Sequence, residues 1–235
     1  MSSKNGRRMR DRSQRIRRKI LDFRMTRARR RHSAVGAAGL WKMKRRFQIG
    51  FLRDRGLNPD QDLLDLGCGT LRGGIPIIDY LEPCRYTGLD VRADVIEEAR
   101  LEVAEAHLEG QEPDLVVAPT LDGLDLGRRF DIIWGFQVII HMTDELLAGA
   151  AEFIALHLRS HGKAYVTVRV GPPRSKEWRG FPAVRRPLEF YEERFGAAGL
   201  RVLDIGPLTD FGHDIPGRTI EQQAAQRMLL LEQAG

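Results

Sequence analysis

Asp65 stands inside an apolar run, Leu63-Leu64-Asp65-Leu66, and Gly67-Cys68-Gly69-Thr70-Leu71-Arg72-Gly73-Gly74 follows directly. Glycine allows backbone to approach a bound molecule closely and to take conformations closed to other residues. A second carboxylate, Asp90, ends the run Tyr86-Thr87-Gly88-Leu89, 21 residues after Gly69. An acid with that spacing, at the end of the next strand, is placed to accept hydrogen bonds from both hydroxyls of a ribose. Each charge-assisted bond contributes about 1.5–3 kcal/mol net, and a carboxylate left without partners there would be costly.

Candidates for acid–base chemistry are fewer. His141 follows the apolar run 130–134 and should face the same cleft as the glycine turn; its alternative role is packing beneath a ligand. His213, with Asp214 beside it, lies in the connection 206–226 that overhangs such a cleft, although adjacent side chains usually point apart. His157 and His161 read as caps or surface residues at a helix end. The segment 169–186 gathers Arg169, Arg174, Lys176, Arg179, Arg185 and Arg186 with Trp178 and Phe181. As a loop at the sheet edge it would suit an anionic, ring-bearing molecule, or it is a solvated basic loop.

Alternating strands and helices must position these groups. Short apolar runs at 63–66, 86–89, 115–118, 130–134, 163–170, 200–205 and 228–231 read as strands. Helices are expected at 40–55, after Gly74, at 93–107, from Asp144 as cap to 158, and at 188–198. Regular alternation with continuous apolar strands indicates an α/β fold with a mostly parallel sheet covered on both faces. No apolar run reaches the roughly 18–20 residues that span a bilayer. Two cysteines, Cys68 and Cys84, without a CxxC pair, support neither a disulfide framework nor a zinc cluster, and a reducing, cytoplasmic setting is the simpler expectation.

The net charge of +6 hides a division. Residues 1–55 hold 20 Lys/Arg against three acids, so the remaining chain is acidic. Residues 1–39 form a basic arm expected to be disordered, since few large apolar side chains offset its ordering entropy. Ile16, Ile20 and Phe23 also fit a basic amphipathic helix suited to an anionic surface or nucleic acid, and the composition resembles a transit peptide. Residues 40–235 form the expected catalytic domain.

At 63–74 the chain resembles the class I S-adenosylmethionine-dependent methyltransferases, whose first motif reads like LDLGCGTG. The resemblance continues through Tyr86-Thr87-Gly88-Leu89-Asp90, Phe130-Asp131-Ile132-Ile133-Trp134 and Val138-Ile139-Ile140-His141-Met142, and is of the small-molecule type. It implies a Rossmann-like doubly wound sheet of seven strands with an antiparallel last strand, and S-adenosyl-L-methionine as cofactor. It also implies that Asp65 approaches the methionine amino group, Gly67 and Gly69 the amino-acid moiety, and Asp90 the ribose, with Cys68, Val91 and Gly135 completing the cofactor set. Leu71 departs from a common third glycine, and Pro119-Thr120 stands where the family often has an acid near adenine. A GxGxxG fingerprint, a phosphate loop, a Tyr-Lys dehydrogenase pair and the Pro-Pro-aromatic motif of exocyclic amino methyltransferases are absent. The expected activity is methyl transfer to an oxygen or nitrogen of a small, possibly anionic acceptor. The alternatives are an RNA methyltransferase using the basic arm and a non-catalytic adaptor of the same fold.

Overall fold

The computed structural model describes residues 38–178 and 180–235. The expected arm therefore lies outside the described residues except for Ala38 and Gly39, which open a short 3-10 turn (Ala38–Leu40). Helix α1 (Trp41–Asp54) follows and turns Trp41, Lys44, Phe47, Gln48, Phe51 and Leu52 inward. Their three- and four-residue spacing is that of one helix face. Downstream come β1 (Leu63–Leu66), α2 (Gly74–Tyr80), β2 (Tyr86–Asp90), α3 (Ala93–Glu105), β3 (Asp114–Val117), β4 (Phe130–Gly135) and α4 (Asp144–His157). They are followed by β5 (Leu158–Arg169), β6 (Arg174–Trp178), β7 (Phe181–Arg185), α5 (Leu188–Ala197), β8 (Leu200–Pro207), α6 (Ile220–Ala224) and β9 (Gln226–Gln233).

Seven strands form one sheet in the order β3-β2-β1-β4-β5-β9-β8. The first five are mutually parallel, and β9 runs antiparallel to both β5 and β8. This is the mostly parallel α/β sheet that the alternation predicts, in the Rossmann-like, doubly wound form that the resemblance implies. Strand side chains alternate between two apolar layers. Leu63, Ile132, Trp134 and Tyr165 pack under α1, α2 and α3, with Phe47, Phe51, Ile77 and Ile96. Leu64, Leu66, Ile133 and Val166 face α4 and α5, with Leu147, Ile154, Tyr191 and Phe195. Burying a side chain of this size stabilises by about 1.5–3 kcal/mol. Strand order reverses between β1 and β4, so the crevice outside their carboxyl ends is where such a sheet receives ligands.

The opposite rim is clamped electrostatically. Asp62, buried just before β1, accepts from Arg128 Nη2 at 2.7 Å, Arg159 Nη2 at 2.6 Å and Arg85 Nη1 at 3.4 Å. Arg159 also pairs with Asp131, whose Oδ2 accepts the Asp62 backbone N–H at 2.8 Å.

Three details differ from the sequence reading. The cap of α4 is Thr143, whose hydroxyl accepts the Leu146 N–H, while Asp144 is the first helical residue. The segment after β5 is not a loop but a hairpin, with Arg174 paired to Arg185 and Glu177 to Pro182. His157 is neither cap nor surface residue: it is fully buried, its Nδ1 donating to Phe153 O at 2.8 Å and its Nε2 accepting from Leu126 N at 2.9 Å. Among the described residues no helix is long and apolar enough to cross a membrane.

Candidate active site

A cleft of about 1030 Å³ opens at the carboxyl ends of β1, β2, β4 and β5. Ligand sites commonly occupy roughly 300–1,000 Å³, so this one has room for a nucleoside cofactor and a second small molecule. Its floor is the glycine turn. Gly67 N and Cys68 N both donate to Leu89 O, at 2.8 and 3.0 Å, which ties the turn to the end of β2. Gly67 has φ +72°, and a Cβ there would stand 2.7 Å from Val138 Cγ2. Leu71, where the resemblance leads one to expect glycine, takes the same left-handed region at φ +57°. That conformation costs about 1–2 kcal/mol for a non-glycine residue, offset by complete burial of the leucine side chain. The turn is thus retained without the third glycine.

Asp90 lies beside this turn. Its Oδ2 accepts Gly69 N–H at 3.1 Å and its Oδ1 accepts Arg92 N–H at 3.0 Å. Burial raises its pKa, and the two backbone donors and Arg92 oppose that rise. A carboxylate has about four acceptor positions, so two remain for a diol. Asp65 is buried deeper and accepts the Tyr86 hydroxyl at 2.7 Å. Desolvation pushes its carboxyl up to about 7, against the Tyr86 hydrogen bond. A cationic amino group placed against it would restore its charge. The Cys68 thiol, also buried, is pushed well above the ordinary cysteine range by burial and by Asp65 and Asp90.

Of the residues expected around the cofactor, Asp65, Gly67, Cys68, Gly69, Asp90 and Val91 line the cleft. Gly135 does not: it is buried at the end of β4, where a Cβ would meet Val166 Cγ1 at 3.0 Å. Pro119 and Thr120 line the cleft beyond β3, joined by Asp122, an acid further along the chain than the family position. A close-approach glycine turn, a diol acceptor and a buried carboxyl for an amine fit the adenosyl amino acid that the resemblance implies.

The two candidate histidines occupy different environments. His141 is half-buried on the cleft wall, with Nδ1 2.7 Å from Pro182 O. Burial lowers its pKa, and the Pro182 carbonyl opposes the shift. His213 is 1% exposed and lies edge-on to Phe47 and Phe136, with ring centroids 4.9 and 5.5 Å away. Phe136 faces the cleft and His213 sits behind it. Asp214 is exposed and does not line the cleft.

The basic segment also divides. Arg169 and Phe181 line the cleft. Arg186 is buried and bonds Asp144 Oδ1 through Nε and Nη2, at 2.9 and 2.6 Å, and Met142 O at 2.8 Å. Arg185 bonds Pro172 O, and Arg174 and Lys176 are exposed. Arg179 lies outside the described residues. The hairpin roofs the cleft, bringing Phe181 to 5.9 Å from the Arg92 guanidinium and 6.2 Å from the His141 ring.

Lys44, Arg72, Arg92 and Arg218 line the cleft as well and were not anticipated. Lys44 had a legible signal, a cation three residues after Trp41 on the apolar stripe of α1. Arg218 had none.

The family model described as a methyltransferase domain matches residues 64–164. The fold is similar to that of an S-adenosylmethionine-dependent methyltransferase from Clostridium acetobutylicum, with TM-score 0.61 and 15% identity over 83% of this chain and 92% of that one. A glycopeptide N-methyltransferase complexed with sinefungin aligns with TM-score 0.62 and 15% identity, over 80% and 93%. Magnesium protoporphyrin IX methyltransferase from Synechocystis, with bound cofactor, aligns with TM-score 0.60 and 17% identity, over 81% and 78%. At these identities the likeness is one of fold.

Proposed function

We propose that this chain, a methyltransferase of the class I fold, transfers a methyl group from S-adenosyl-L-methionine to an oxygen or nitrogen of a small-molecule acceptor. The observation carrying the reading is the arrangement of Asp65, the Gly67–Gly69 turn and Asp90 at the switch point of the sheet. A glycopeptide and a porphyrin enzyme of similar fold support a small acceptor. The hairpin supports it too, because its Phe181 and Ala183 line the cleft beside His141.

When bound, the cofactor supplies an electrophilic methyl on a sulfonium together with its own leaving group. Asp90 would hold the ribose, Asp65 the amino group, and the Gly67–Gly69 backbone the amino-acid moiety. The protein's larger task is to align the acceptor, an effect that can lower a barrier by roughly 7–11 kcal/mol. His141 is suited to take a proton from a hydroxyl acceptor. A carbonyl can only accept, so Nδ1 carries the hydrogen shared with Pro182 O, and in the neutral ring the lone pair is on Nε2. Phe181 and the hairpin would exclude water above the reacting atoms.

The test is incubation of cell extract with the full chain and methyl-labelled cofactor, followed by separation into small-molecule, RNA and protein fractions. Label in the small-molecule fraction, lost with Asp90→Ala, is the expected result. Label confined to RNA would replace the substrate class, and no label in any fraction would favour a non-catalytic adaptor.

A further inference from the structure

We propose that Lys44, Arg169 and Arg218 form an oxyanion-binding subsite for the acceptor, so that the methylated molecule carries a carboxylate or phosphate group. The proposal rests on the methyl-transfer reading and deepens it.

Three segments distant in sequence deliver these cations to one cleft: α1, the carboxyl end of β5, and the connection leading into α6. Among the described residues none of the three makes an ion pair. The contrast with the opposite rim is informative, where Arg85, Arg128 and Arg159 all close on Asp62. Lys44 is 7% exposed. Its ammonium has three donors, and Gln137 Oε1, at 2.5 Å, is the acceptor it meets. That amide is itself fixed: Gln137 N donates to Thr167 Oγ1 at 2.6 Å, and Gln137 Nε2 to Gln226 Oε1 at 3.3 Å. Gln137 holds this position from a left-handed backbone, φ +60°. Such conformations in non-glycine residues concentrate at functional sites.

The cations disfavour one another. Burial, then Arg72, Arg218 and Arg169, bring the Lys44 ammonium down to about 7. Burial and then Arg218 lower Arg169. An oxyanion between them would relieve that repulsion, and the guanidinium fork matches carboxylate and phosphate geometry.

Arg169 and the proposed base His141 line the same cleft, and Arg169 acts on His141 whereas Asp65 answers to Asp90 and Arg72, which puts Arg169 toward the acceptor. Arg72 is also the first charge acting on Lys44, so Lys44 borders the amino-acid end, and S-adenosylhomocysteine affinity distinguishes the two roles.

Calorimetric titration of inorganic phosphate, benzoate and neutral benzamide into protein saturated with S-adenosylhomocysteine tests the proposal. Phosphate or benzoate should bind saturably and benzamide should not. Arg169→Gln and Arg218→Gln should each weaken the anion about tenfold or more, with S-adenosylhomocysteine affinity changed less than twofold. Lys44→Met, which keeps the apolar stem, should act in the same direction. Absence of saturable anion binding, or binding indifferent to all three substitutions, overturns the subsite. A tenfold loss of S-adenosylhomocysteine affinity in both arginine variants also overturns it, because the cations would then serve the cofactor's own carboxylate. Should the wild-type chain fail to bind S-adenosylhomocysteine, the methyl-transfer reading fails; the same anion titrations on ligand-free protein then decide the subsite separately.

Discussion

His141 donates its Nδ1 hydrogen to the carbonyl oxygen of Pro182 across 2.7 Å, joining the loop after β4 to the hairpin that roofs the cleft. One contact thereby sets both the orientation of the ring and the nitrogen that bears its lone pair. With a hydroxyl acceptor, His141→Gln should reduce kcat by about 10²–10⁴-fold. S-adenosylhomocysteine affinity should stay within twofold. Because burial lowers the His141 pKa, the acid limb of the pH–rate profile should fall below the ordinary 6.5 of histidine. A variant within threefold of wild-type turnover would make the histidine a strut for the hairpin instead.

As the proposed amine site, Asp65 should give cofactor affinity a pH dependence. Burial pushes its carboxyl up to about 7, and the ionised form is the one that attracts an ammonium. Affinity for S-adenosylhomocysteine should therefore weaken as pH falls through 7, approaching about tenfold per pH unit well below it. Calorimetry between pH 5.5 and 8.5 reads this directly. Asp65→Asn should bind weakly with a flat profile; a flat profile in the wild-type chain would remove Asp65 from the amine site.

Gly67 is constrained twice, by its φ of +72° and by Val138 Cγ2, which would stand 2.7 Å from an added Cβ. Gly67→Ala should destabilise the chain by about 1–3 kcal/mol, seen in thermal unfolding, and impair cofactor binding. In a Val138→Ala background the loss should shrink, leaving the backbone part. An equal loss in both backgrounds would show that the valine does not limit the turn.

His213 predicts acid sensitivity. Desolvation, then Lys44, Arg218 and Arg72, lower its pKa to about 4, against 6.5 for an ordinary histidine. A depressed pKa means that its stabilising share is complete above 6.5 and is lost as pH falls toward 4, where the folded chain also takes the proton. The loss is about 3 kcal/mol on this basis. His213→Phe, placed against Phe47 and Phe136, should flatten that part of a denaturation series. An unchanged acid slope would assign the sensitivity to other groups.

The part of the cleft proposed for the cofactor was legible as a cluster because its residues are close in sequence and lie on one strand–turn–strand unit. Asp65, Gly67, Gly69 and Asp90 needed only a buried strand, a glycine turn and the next strand end to come together. The cations proposed to hold the acceptor were not legible in the same way. Lys44, Arg169 and Arg218 converge only through the stacking of α1 on the sheet and the return of the chain toward β9, which no local spacing encodes. The hairpin escaped notice because Arg174–Trp178 and Phe181–Arg185 carry charges and a proline rather than an alternating apolar pattern. Asp144 read as a cap because aspartate suits that position. Thr143 took it, and Asp144 paired with Arg186 instead.

Asp62 and its three arginines occupy the amino-terminal rim of the strands whose carboxyl ends form the cleft. These residues share no contact with Lys44, Arg169 or Arg218. Substitutions in the proposed acceptor subsite should therefore leave the Asp62 cluster intact, and the two ends of the sheet can change independently.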